Sequence, residues 1–124
     1  MSPFPPTVLK KLYVKSSLRA NGEGFTLDLQ NVLAPGTIIA FDGLDLDGKA
    51  VAPEQITLVP SSGKPRPACK ISTESPVQFP INAPLTLHAA GQQLTPGPHE
   101  IVIHITFREV GLLTIPIGDT ARSK

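Results

Sequence analysis

The chain has 124 residues, and its eleven Lys and Arg against ten Asp and Glu leave a net charge of +1. That balance argues against a protein that holds nucleic acid by neutralising phosphates. The length suits one domain that buries roughly two thirds of its extended surface. Cys69 is the single cysteine, and neither a leader-like start nor a long apolar run occurs, so no disulfide and no membrane helix are predicted and a cytoplasmic setting is expected.

Fourteen prolines and ten glycines interrupt helices and punctuate turns, which predicts many short strands. Residues 1–8, with Pro3, Pro5 and Pro6, read as an extended arm. Over residues 9–18, Leu12, Val14 and Leu18 fall opposite Tyr13, Lys15 and Ser17, which predicts a first strand. Asn21-Gly22 and Gly24 give a hairpin signal. The next strand, "GFTLDLQNV", places Phe25, Leu27 and Leu29 inward and Thr26, Asp28 and Gln30 outward.

After the "LAPG" turn, "TIIAFDGLDLDGKAV" predicts a strand through Ile38 and Phe41, a kink near Gly43 and a turn at Asp47-Gly48. Pro53 ends that piece, and "QITLVP" forms a short strand closed by Pro60. Residues 61–84, rich in proline, read as a long loop with one short strand around Cys69 to Ile71. "LTLHAAG" is a strand with Leu85, Leu87 and Ala89 on one face. Thr95 to Pro98 turn the chain, and "EIVIHITF" alternates so that Ile101, Ile103, Ile105 and Phe107 share one face, as in a central strand. Pro116 gives the last strand, "GLLTIPI", an edge position. About eight such strands predict an all-β, antiparallel β-sandwich, immunoglobulin-like or similar. It spans residues 9–118, and residues 119–124 form a polar tail.

Little in the chain points to chemistry. His88, His99 and His104 lack zinc-site spacing, and no metal site is predicted. His88 and His104 would share a site only if their strands paired. Asp42, Asp45 and Asp47 resemble a calcium loop superficially, without its further ligands and terminal glutamate. There is no serine elbow, phosphate-cradling loop or dinucleotide fingerprint, so catalytic and cofactor-binding residues are none. Catalysis by the chain alone would require a histidine to converge with a carboxylate such as Glu100 or Asp28. A flat sugar-binding face is disfavoured by the absence of Trp, with one Tyr and five Phe. Phe4, Pro5, Pro6, His104, Arg108 and Glu109 remain as candidate partner-contact residues.

The order "GFTLDLQNVLAPGTI", "LDLDGKAVAPEQITL" and "PLTLHAAGQQLTPGPHEIVIHITFRE" resembles the small β subunits of bacterial C-glycoside deglycosidases, over Leu9 to Ile117. The resemblance implies a β-sandwich accessory subunit, part of a lyase-type enzyme whose larger, barrel-type subunit carries the catalytic metal. No catalytic residue carries over. The other expectation is a stand-alone sandwich that binds a ligand or forms a homo-oligomer.

Overall fold

The computed structural model describes residues 5–20, 24–60, 63–91, 94–95 and 97–121. After a helical turn at Pro6–Leu9 and a 3-10 turn at Lys10–Leu12, the strands run β1 (Arg19–Ala20), β2 (Gly24–Gln30), β3 (Gly36–Leu46), β4 (Lys49–Val51), β5 (Ile56–Pro60), β6 (Arg66–Pro67), β7 (Val77–Phe79), β8 (Pro84–Ala90), β9 (Gly97–Phe107) and β10 (Gly111–Ala121). One sheet has the order β1-β2-β8-β5-β6 and the other β10-β9-β3-β4, with β7 also pairing β3. All the pairings are antiparallel. The architecture is the predicted all-β sandwich.

Alternation decides what each strand buries. Phe25, Leu27 and Leu29 of β2, Leu85, Leu87 and Ala89 of β8, and Ile56 and Leu58 of β5 form the inner face of the first sheet. Ile101, Ile103 and Ile105 of β9, with Leu113, Ile115 and Ile117 of β10, meet them from the second. Each fully buried Leu, Ile or Phe side chain contributes about 1.5–3 kcal/mol relative to exposure, so these stripes hold the two layers together.

Strand β9 is central, between β10 and β3, as its alternation predicts. Its hydrogen-bonding direction can be read from Glu100, whose N–H donates to Asp47 Oδ1 at 2.8 Å and whose carbonyl accepts the Asp47 N–H at 2.7 Å. Glu100 therefore turns both backbone groups toward β3. Strict alternation along an antiparallel ladder then aims those of Ile101, Ile103 and Ile105 at β10. Their partners Ile117, Ile115 and Leu113 aim back at β9, and Pro116 holds its ring nitrogen on the open edge, where no donor is needed.

Strand β3 carries the expected irregularity near Gly43. Its register against β9 shifts between Ile38 and Ala40 and again between Phe41 and Gly43, and Gly43 has φ 148°. These are bulges, which bend the strand and re-aim its side chains. At the following turn Asp47 (φ 52°) and Gly48 (φ 87°) both occupy left-handed conformations, the geometry that a two-residue hairpin turn demands.

Four expectations are corrected, one of them at the end of the chain, where β10 continues through Asp119 to Ala121 paired with β9, so these residues are strand and not tail. Residues 9–18 do not form a strand: Leu9 and Leu12, three apart, are buried from helical turns, and the turn opens at Pro6, where proline suits a helix start and an extended arm gives way. The region around Cys69 is a 3-10 turn, Ala68–Lys70, and not a strand. The long loop instead supplies β7, which buries Val77 and Phe79. The hairpin between β1 and β2 pairs Arg19 with Thr26, while its Asn21-Gly22 turn lies outside the described residues, as does Pro96.

Among the described residues no helix is long and apolar enough to cross a membrane.

Candidate functional site

Three segments converge at one end of the sandwich: residues 31–35 between β2 and β3, the stretch after β7, and the β9–β10 turn. Asn31 organises the first two. Its amide nitrogen donates to the carbonyls of Ala34 and Phe79, each at 2.7 Å, and its amide oxygen accepts the N–H groups of Leu33 and Ala34. Glu109 ties in the third, accepting the Thr37 N–H at 2.9 Å and the Thr37 hydroxyl at 3.0 Å. The Thr37 N–H, and after it the hydroxyl and the Arg108 charge, hold the Glu109 carboxyl below its ordinary range.

Between these segments opens a cleft walled chiefly by Leu12, Leu33, Pro35, Phe107, Val110 and Leu113. The Phe79 and Phe107 rings stack beneath it with centroids 6.3 Å apart. Its space is about 70 Å³, far below the roughly 300 Å³ at which small-molecule pockets begin. Asn31 and Glu109, which also border it, spend their polar atoms on backbone groups and the Thr37 hydroxyl. The exposed large apolar residues Val32, Ile81, Val110 and Leu112 (42%, 46%, 38% and 51% exposed) lie on or beside the segments that form this end. Such a cleft receives apolar side chains better than it receives a substrate.

The outer face of the second sheet is polar. His104 Nε2 lies 3.1 Å from Asp45 Oδ2, and His104 Nδ1 lies 3.4 Å from the Thr114 hydroxyl. Thr106 donates to Asp42 Oδ2 at 2.6 Å. Thr, His and Asp in series have the residue types of an activated nucleophile. The setting differs from that chemistry, because Thr114 is exposed and the neighbouring N–H groups of Leu113 and Ile115 are turned to the β9 ladder, so no pair of donors converges beside its hydroxyl. The cluster clamps β3, β9 and β10 across their outer face.

At the far end of the core, the Tyr13 hydroxyl donates to Asp119 Oδ2 and accepts the Leu18 N–H at 3.0 Å, while the Ser16 N–H reaches the same Asp119 oxygen at 2.9 Å. Burial, and then the Asp119 carboxylate, push the Tyr13 phenol up to about 12. Beside it, His99 Nδ1 lies 2.6 Å from Asp47 Oδ2, and Nε2 lies 2.7 Å from the Thr95 carbonyl.

The sequence-based candidates are scattered. Phe4 lies outside the described residues. The Pro5 carbonyl accepts the N–H groups of Val8 and Leu9, and Pro6 opens the helical turn. Arg108 is exposed, with its N–H on the Thr37 carbonyl at 2.9 Å. Glu109 borders the apolar cleft, whereas His104 belongs to the polar face. His88 sits on β8 in the first sheet and His104 on β9 in the second, so their strands do not pair. Asp28 bonds Thr86 at 2.8 Å and meets none of the histidines. Among the described residues no group of three His, Cys, Asp or Glu side chains is placed to hold a metal. The cleft itself escaped sequence reasoning because its walls come from distant segments, and an exposed "VL" and "VGLL" flanking turns were the available signal.

A comparison with protein families matches residues 8–122 to the family described as hydroxymethylglutaryl-CoA reductase, N-terminal domain. The chain belongs to this family. The resemblance to C-glycoside deglycosidase small subunits is thereby corrected, since the reductase-domain match spans the same stretch. The motifs behind that resemblance were turns: Asp47-Gly48 and Gly97 (φ 115°) serve left-handed backbone geometry, which any sandwich with those hairpins requires. No curated protein matches the chain.

Proposed function

We propose that this member of the reductase N-terminal-domain family is a non-catalytic accessory unit that holds a reductase polypeptide against the apolar end of its sandwich. The carrying observation is an apolar cleft too small for a substrate, with exposed Val110 in its wall and exposed Val32, Ile81 and Leu112 on or beside the segments that form that end. Apolar side chains left in water at one end gain from burial against a partner. Asn31 and Glu109, already bonded to backbone, give that end a fixed shape without offering free groups for chemistry. The family's description supports a reductase as the partner. In this reading the chain carries no cofactor and works in the cytoplasm.

Sedimentation velocity on an equimolar mixture of the full chain and the reductase catalytic polypeptide of the same organism tests this. The expected result is a single faster boundary containing both, lost in a Val110→Asp, Leu112→Asp double variant that keeps the wild-type circular dichroism spectrum. Two separate boundaries for the wild type, or a complex indifferent to the double variant, contradict it. A faster boundary holding this chain alone identifies a homo-oligomer instead.

A further inference from the structure

His99 lies near the start of β9 on the core-facing side, and its side chain is 8% exposed. Both ring nitrogens meet acceptors. Nε2 lies 2.7 Å from the Thr95 carbonyl, an atom with no proton to give, so Nε2 must carry one. Nδ1 lies 2.6 Å from Asp47 Oδ2, and the other Asp47 oxygen accepts the Glu100 N–H at 2.8 Å. That second bond favours the ionised carboxylate, so Nδ1 carries a proton too. Only the imidazolium satisfies both neighbours.

The neutral ring has one donor and must release one acceptor. Asp47 is the stronger claimant, because its carboxylate is charged and is fixed by Glu100. The Thr95 hydroxyl lies 3.5 Å from Nε2 and is a donor that a bare Nε2 can use. We propose that His99 is a proton-controlled latch on the segment entering β9: protonated, it holds the Thr95 carbonyl, and neutral, it keeps Asp47, accepts from the Thr95 hydroxyl and lets the carbonyl go.

The surroundings fit this direction. Asp47 faces His99 from the β3–β4 turn, Asp119 is its register partner on β10, and Glu100 follows it on β9. These three carboxylates border one broad, shallow depression with His99. Lys10 and Lys15 lie beyond Asp119, in the groove they share with Tyr13 and Ser16. The bond to the Thr95 carbonyl, and then the one to Asp47, raise His99 above its ordinary 6.5, so the latch opens as pH rises past that raised value. Buried Leu94 sits just before Thr95, so release loosens this end of the core. The latch is independent of the accessory-domain reading.

A pH titration by nitrogen-15 NMR of the full chain, following the His99 ring and the backbone amides, tests it. The amides of Thr95 and Gly97 are expected to shift with the His99 midpoint, while those of Asp47 and Glu100 stay in place. Asp47→Asn moves the midpoint down by removing the charge that favours imidazolium. Thr95→Val moves it up by removing the donor that serves the neutral ring, while keeping the carbonyl; if Asp47→Asn fails to fold, Thr95→Val alone decides. A wild-type midpoint at or below 6.5, a Thr95 amide that ignores it, or an unmoved or lowered midpoint in Thr95→Val overturns the proposal.

Discussion

Pro116 on β10 stands opposite Val102 on β9, with its ring nitrogen on the open side of the sheet. Strand β10 runs eleven residues and has β9 as its one strand neighbour among the described residues. An open edge of that length is a template for another chain, and a proline in its middle removes the donor that a pairing strand would use. Pro116→Thr restores that donor. Concentration-dependent self-association is expected in light scattering, and monodispersity equal to wild type at the same concentration contradicts this role.

The stability of the domain should form a plateau in pH with identifiable limits. The Glu100 N–H, and then His99, hold Asp47 below its ordinary 3.8, and Glu109 is held below 4.5. These groups stabilise the fold above their ordinary values, and that contribution is lost as pH falls through the lowered folded-state values. His99 works in the opposite sense: its contribution is complete below 6.5 and is lost as pH rises through the raised folded-state value. Tyr13 adds stability below 10.0 that disappears as pH passes about 12. Melting temperature against pH checks this. Asp47→Asn should soften both the acid limb and the limb above 6.5, whereas Glu109→Gln should soften the acid limb alone.

Tyr13→Phe removes the hydroxyl that accepts the Leu18 N–H and donates to Asp119. Leu18 is fully buried, so its N–H is left without that partner, and a loss of about 1–3 kcal/mol is expected in urea unfolding. A change of only a few tenths would mean that the chain re-forms the link another way.

Two glycines should respond in opposite ways. A Cβ on Gly24 would lie 1.8 Å from the Ala89 carbonyl oxygen. That atom belongs to the paired β8 backbone, so no rotamer relieves the clash, and Gly24→Ala should cost at least about 3 kcal/mol, the upper end of overpacking. Gly118 has nothing within 4 Å of the same position, so Gly118→Ala should change stability by no more than about 0.5 kcal/mol. Equal melting temperatures for the two variants would contradict the β2–β8 contact.

Strands β2, β8 and β9 were legible because each is long enough to show alternation, and their inward residues are those that the pattern selects. Pro116 was legible as an edge marker because its missing N–H is a local property. The start of the chain was misread because Leu12, Val14 and Leu18 fit period two, while the spacing of Leu9 and Leu12 and the proline before them also fit helical turns. Strand β7 has three residues between Pro76 and Pro80, too few to display any period. The apolar cleft and the His99–Asp47 pair depend on residues far apart in the chain that only the fold brings together.

The role of the apolar end is tested most directly by hydrogen–deuterium exchange of the full chain, free and mixed with the reductase catalytic polypeptide. Slowed exchange is expected in residues 31–36, 80–83 and 108–113, with the amides around His99 and His104 unchanged. Unaltered exchange at that end, or protection confined to the polar outer face, would contradict the proposed function.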